Sequence, residues 1–126
     1  LEGDTTQQEA EFDDASGIKM LNNFYHEYIP LVENSLDFKK IEKLQKDNCS
    51  AVFYKEYLNW EIDYDPFINA QDANSESLNS LTIERIKKRN KTFRVTYISP
   101  YNQKIIEIVI TLDIIEGDYK IVGIDQ

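Results

Sequence analysis

The chain has 126 residues, 41% of them hydrophobic, and a net charge of −9, with 17 acids and 6 bases in residues 1–81 (net −11) and 6 acids and 8 bases in residues 82–126 (net +2). This is enough apolar material for one domain with a sizeable core, no stretch approaches the roughly 20 apolar residues of a membrane-spanning helix, and the acidic part would repel nucleic acid and favour basic partners. A single cysteine and a single histidine exclude an internal disulfide, a Cys-rich zinc site and a His-rich metal centre.

Residues 1–15 carry Glu2, Asp4, Glu9, Glu11, Asp13 and Asp14, with Phe12 as the one large apolar residue after Leu1. Such a segment cannot offset its ordering entropy by burial, which predicts a flexible acidic tail before a single domain over 16–126. Ser16 is placed to cap a first helix with Ile18, Leu21, Tyr25, Tyr28, Ile29 and Val32 on one stripe. Pro30 lacks the N–H that would bond back to His26 and is expected to kink or end it. Asp37 and Ser50 read as caps of two further helices, the second carrying Phe53, Tyr54, Tyr57, Leu58 and Trp60. Asn74 or Ser75 begins a last short turn, closing a helical part over 16–81.

From Thr82 the apolar period changes from about 3.6 to about 2. Phe93, Val95 and Tyr97 alternate with Thr92, Arg94 and Thr96, and Ile106, Ile108, Ile110, Leu112 and Ile114 alternate with Glu107, Val109, Thr111 and Asp113. Turn residues separate these runs at Arg89-Asn90, Ser99-Pro100-Tyr101-Asn102 and Glu116-Gly117-Asp118. The connections are too short for parallel crossovers. The reading is an α+β fold, with N-terminal helices packed on a curved antiparallel four-stranded meander over 82–126.

The polar stretch "DYDPFINAQDAN" at 63–74 could be a calcium loop, a ligand-facing loop, or a helix cap with turns. With Asp63 at the first position of a helix–loop–helix calcium pattern, the position that needs glycine holds Ile68 and the one that needs glutamate holds Asn74. Asp65-Pro66 fits an N-cap followed by proline in the first turn of a helix. The stretch "DYDPFINAQD", preceded by "NCSAVFYKEYL", resembles an uncharacterised family of extracytoplasmic, Bacteroides-type bacterial domains with a D-x-D-P-F-I-x-A-Q-D signature. Ser50 stands where threonine is usual, and the resemblance runs over about 18–125. It implies a cone-shaped fold like nuclear transport factor 2 and the cystatin-like proteins. It also implies export, commonly as a periplasmic protein or lipoprotein, which leaves room for a lipid anchor upstream of the chain, and no known catalytic activity. In that family Asp63, Asp65, Pro66, Phe67, Gln71 and Asp72 occupy signature positions of unknown role.

Other chemistry has ordinary readings beside it. His26 falls off the apolar stripe, beside Glu27. Cys49 opens a helix, which could favour its thiolate, or is simply buried. Arg85, Lys87, Lys88, Arg89, Lys91 and Arg94 could bind phosphate, guard a sheet edge or dock the acidic tail or a neighbouring subunit. Glycine-rich phosphate loops and the common hydrolase and metalloprotease patterns are missing. No catalytic residue, metal ligand or cofactor is assigned. Asp63, Asp65, Phe67, Gln71, Asp72, Tyr57 and Tyr97 are the candidate ligand-binding residues, on a surface formed by the concave sheet face and the 63–74 loop. The expected function is a non-catalytic extracytoplasmic binding module, monomeric or homodimeric, for a small molecule, peptide or protein. The alternatives are an immunity protein against a basic secreted toxin and a small isomerase, dehydratase or hydrolase using one of the aspartates as base.

Overall fold

The computed structural model describes residues 11–34 and 37–126. Residues 1–10, most of the expected tail, lie outside the described residues. Three helices, α1 (Asp14–Asn34), α2 (Phe38–Asn48) and α3 (Ala51–Tyr57), are followed by a 3-10 turn (Ser75–Ser80). Four strands complete the chain: β1 (Thr82–Arg85), β2 (Thr92–Ile98), β3 (Ile105–Ile115) and β4 (Asp118–Ile124). The sheet is an antiparallel meander in the order β1-β2-β3-β4, with the helices on one face. This is the α+β arrangement read from the change of period.

α1 begins three residues earlier than expected. Asp13, not Ser16, closes its N-terminus: the Asp13 carboxylate accepts hydrogen bonds from the backbone N–H of Ala15 and Ser16 and from the Ser16 hydroxyl. Phe12 is held against the rings of Tyr119 and Phe93, at 5.1 and 6.1 Å between centroids. Pro30 does not end the helix, which runs on to Asn34. Only one turn follows the proline, and His26, whose carbonyl loses its N–H partner, lies on the exposed flank where water can serve instead. The Asn34 side-chain amide donates to the Pro30 carbonyl at 2.8 Å. Asp37 and Ser50 cap α2 and α3 as expected, each accepting backbone N–H bonds, and Asn74 caps the 3-10 turn. α3 stops at Tyr57, so Trp60 lies in the segment after the helix and not on it.

The inner sheet face carries Phe93, Val95 and Tyr97 of β2, Ile108, Ile110 and Leu112 of β3, and Ile121 and Ile124 of β4, all buried. Leu21, Phe24, Tyr25, Tyr28 and Ile29 of α1 meet them. The outer face is polar and paired across strands. The Arg94 guanidinium bridges Glu84 at 3.0 Å and Glu107 at 3.3 Å, Lys91 meets Asp113 at 2.8 Å, and Thr92 and Thr111 share a hydrogen bond at 3.0 Å. Glu116 and Gly117, both at positive φ, form the two-residue turn between β3 and β4. The free edge of β4 is covered where the Ser50 N–H donates to the Ile121 carbonyl at 2.9 Å.

The basic run is largely spent on the fold itself. Arg85 pairs with Asp14 at 3.1 Å, Arg89 with Asp125 at 2.5 Å, and Lys91 and Arg94 with the acids already named. Arg85 also lies over the Phe93 ring and Lys91 over Phe12.

Gly17 sets the distance between α1 and the sheet. A Cβ there would fall 2.7 Å from the Phe93 ring and 3.3 Å from Leu112. Alanine would raise helix propensity by about 1 kcal/mol but would overpack a contact between two buried layers, which costs roughly 1–3 kcal/mol. Gly17→Ala is therefore expected to lower the midpoint of urea unfolding with an unchanged slope. A higher midpoint would show that the helix can ride outward freely.

Candidate functional site: the Asp65 loop and an aromatic groove

Residues 65–70 form a closed loop tucked between helices and sheet. Asp65 and Ala70 exchange backbone hydrogen bonds, at 2.9 Å from the Asp65 N–H and 3.3 Å from the Ala70 N–H. Pro66 pre-sets the first turn position and Asn69 adopts left-handed φ. The Asp65 carboxylate accepts the Phe67 N–H at 2.9 Å. The predicted aspartate cap is thus present, but it closes a turn and no helix follows. Phe67 is 0% exposed and Ile68 is buried beside it. Their side chains, with Phe24, Tyr25 and Tyr28, fill the space over the inner sheet face. The expected recognition surface on that face is consequently occupied by the protein's own core.

A loop this deep must have its polar atoms satisfied. Three tyrosines from two other elements do so. Tyr25 of α1 donates its hydroxyl to the Phe67 carbonyl at 2.5 Å. Tyr97 of β2 donates to the Ile68 carbonyl at 2.5 Å. Tyr28 of α1 donates to the Asp65 carboxylate at 2.6 Å. Gln45, a buried polar residue of α2, then donates its amide to the Tyr28 hydroxyl at 2.8 Å and to the Tyr57 hydroxyl at 3.3 Å. Among the described residues no buried side-chain nitrogen or oxygen is left without a partner.

Burial raises the Asp65 carboxyl above its ordinary range, against the hydrogen bonds from Tyr28 and Phe67. Burial, and then the charge of Asp65, pushes the phenols of Tyr57 and Tyr97 up to about 12 and raises those of Tyr25 and Tyr28 well above the ordinary phenol value. Buried phenols in this state are hydrogen-bond donors at neutral pH.

The seven candidate residues divide into two groups. Asp65, Phe67, Tyr57 and Tyr97 come together around the loop, Tyr57 with its ring edge-on to Phe67 at 5.2 Å. Asp63, Gln71 and Asp72 are exposed, with the Gln71 amide 3.4 Å from the Asp63 carbonyl. The Asn69 amide reaches the Glu107 carbonyl at 3.2 Å. Among the described residues no three of His, Cys, Asp and Glu gather as a metal site. His26 is exposed, its Nδ1 2.9 Å from the Asn22 carbonyl. Cys49 is buried, and burial pushes its thiol up to about 12.

Sharing Tyr57 with the loop's surroundings is an open groove of about 420 Å³. α2 supplies Phe38, Ile41, Glu42 and Gln45; α3 supplies Tyr54 and Tyr57; and the segment after it supplies Leu58, Trp60, Ile62 and Tyr64. Trp60 stands edge-on to Tyr57 at 5.7 Å and to Phe53 at 5.6 Å. Phe38 is 73% and Leu58 60% exposed on the rim. Apart from Tyr57, these residues were not among the expected ligand-binding set. The available signals were the Phe38, Ile41, Glu42, Gln45 face of α2 and the alternation Trp60, Ile62, Tyr64, a short extended pattern directly after a helix. A wider groove of about 700 Å³ runs between α1 and α2, past His26, Glu27, Leu31, Lys40 and Lys43. Its walls carry charges of both signs and no aromatic ring other than that of His26, and they flank residues 35–36, outside the described residues.

No protein-family model matches the chain, and no curated protein matches its sequence. The fold is similar to that of a solved protein of unknown function from Bacteroides thetaiotaomicron, with a TM-score of 0.77 over 90% of this chain and 91% of that one, at 19% identity. At that identity the likeness is one of fold. Among the described residues no helix is long and apolar enough to cross a membrane.

The raised Asp65 carboxyl has a defined consequence for stability. Its contribution is complete below about pH 4, where the group is protonated folded and unfolded alike, and declines as pH rises through the higher folded value. Asp65→Asn, which keeps the shape and removes the charge, should gain stability relative to the parent between pH 4 and pH 7. Asp65→Ala, which leaves the Tyr28 hydroxyl and the Phe67 N–H without their acceptor, should lose about 1–3 kcal/mol throughout. Urea unfolding at both pH values separates the two effects, and an Asn variant that loses ground as pH rises would contradict the assigned direction.

Proposed function

We propose that the protein is a non-catalytic binding module that works outside the cytoplasm, with a cone-shaped, nuclear transport factor 2-like fold whose mouth is stoppered by the Asp65 loop. Its recognition surface is the aromatic groove between α2, α3 and residues 58–64. The observation that carries this reading is the exposure of Phe38 and Leu58 on the rim of a groove floored by Tyr54, Tyr57, Trp60 and Tyr64. Large exposed apolar side chains around an aromatic concavity are the usual signature of a ligand or partner site. Tyrosine and tryptophan add contact area with little rotamer entropy to lose. Gln45 and the Tyr57 hydroxyl, fixed by the network to Asp65, supply oriented polar contacts on its floor. The extracytoplasmic placement rests on the resemblance of residues 63–72 to exported Bacteroides-type domains.

A thermal-shift screen with small molecules and short peptides tests the assignment, because a ligand at 100 times its Kd stabilises the folded state by about 2.7 kcal/mol. Ligands that raise Tm in the parent should lose most of that effect in a Phe38→Ala/Leu58→Ala variant and should be recovered chemically unchanged. Equal shifts in both proteins would remove the groove from the account, and turnover of a ligand would remove the non-catalytic reading.

A further inference from the structure

We propose that the aromatic groove takes a small organic cation, an alkylammonium head on an apolar body, with the head held over the rings beside Glu42. The inference rests on the groove being the recognition surface and adds the chemical class of its ligand.

The lining is five aromatic rings (Phe38, Tyr54, Tyr57, Trp60 and Tyr64), three aliphatic side chains, one amide and a single charged group, the Glu42 carboxylate. Among the described residues no lysine or arginine lines it. An alkylammonium gains from both features: the ring faces carry negative quadrupole potential, and the carboxylate adds a full negative charge in the same concavity. Weak hydration of a substituted ammonium lowers the cost of bringing it there. The Glu42 charge is felt at Tyr54: after burial it is the next cause holding that phenol above its ordinary value. The rest of the groove suits an alkyl body, with Ile41, Ile62, Phe38 and Leu58 along its length and rim. An anionic ligand would meet Glu42 with no compensating cation on the walls.

Trp60 is the one tryptophan of the chain, so its emission reports the groove without a label. The test titrates the full chain with choline and, separately, with its neutral isostere, in which carbon replaces the nitrogen. Choline should change Trp60 emission saturably and bind about 5–30 times more tightly than the isostere, the ratio that a cation–π and carboxylate contribution of roughly 1–2 kcal/mol produces. Glu42→Gln should weaken choline about 5-fold or more and leave the isostere unchanged, with an unaltered melting temperature showing that the fold is intact. Equal affinity for the two probes, or no effect of Glu42→Gln, would overturn the cation proposal while leaving the groove as the binding surface. Failure of choline to perturb Trp60 at any concentration also overturns it, and the thermal-shift screen with the Phe38/Leu58 variant then decides separately whether the groove binds anything.

Discussion

The structure depends on making a turn of backbone acceptable in the interior of the protein. Residues 65–70 enter the space between α1 and the sheet with Phe67 and Ile68 foremost, and their carbonyls go in with them. Left unpaired, each such carbonyl would cost about 1–3 kcal/mol. Tyrosines 25 and 97 take those two carbonyls, and Tyr28 takes the Asp65 carboxylate. Each of these residues brings an apolar ring for the core and a hydroxyl placed at the loop, which phenylalanine or serine alone could not do. The loop in turn ties α1 and β2 together, and through Gln45 it reaches α2.

That constraint gives the conspicuous D-x-D-P-F-I-x-A-Q-D stretch a structural role. Asp65 is an internal acceptor, Pro66 and Asn69 shape the turn, and Phe67 and Ile68 are core. Asp63, Gln71 and Asp72 remain outside, on the exposed approach to the loop. The loop also fills the inner sheet face. The aromatic groove shares Tyr57 with the loop, and Gln45, which also bonds the Tyr28 hydroxyl, is part of its lining.

Local physics made much of this legible. The strands were readable because a half-buried sheet must alternate, and Phe93-Val95-Tyr97 and Ile108-Ile110-Leu112 do so without interruption. Asp37 and Ser50 were readable as caps because a short polar side chain before an apolar stripe has few other uses. The failures share one cause, contacts made at long separation. Ser16 looked like the first cap because nothing local shows that Phe12 docks on Tyr119 and carries Asp13 into place. Pro30 was read as a kink or an end of the helix, and the helix runs on because the proline's cost is local while its compensation, a helix held down by Tyr28 and Ile29 on the core side, is tertiary. Asp65-Pro66 had the right hydrogen bond but the wrong continuation, since the return of Ala70 onto Asp65 ends the turn. Gln45 carried no visible sign of its role, because its partners lie 12 and 17 residues away.

The tyrosine grip on the loop is tested most directly by taking away the hydroxyls while keeping the rings. Tyr25→Phe and Tyr97→Phe should each lower the free energy of unfolding by about 1–2 kcal/mol and should speed amide exchange at residues 67–70. Tyr101→Phe, at an exposed ring, should change neither by more than about 0.5 kcal/mol. If both core variants unfold at the parent's denaturant midpoint with the loop amides equally protected, the loop is not held in place by these hydroxyls and the account fails.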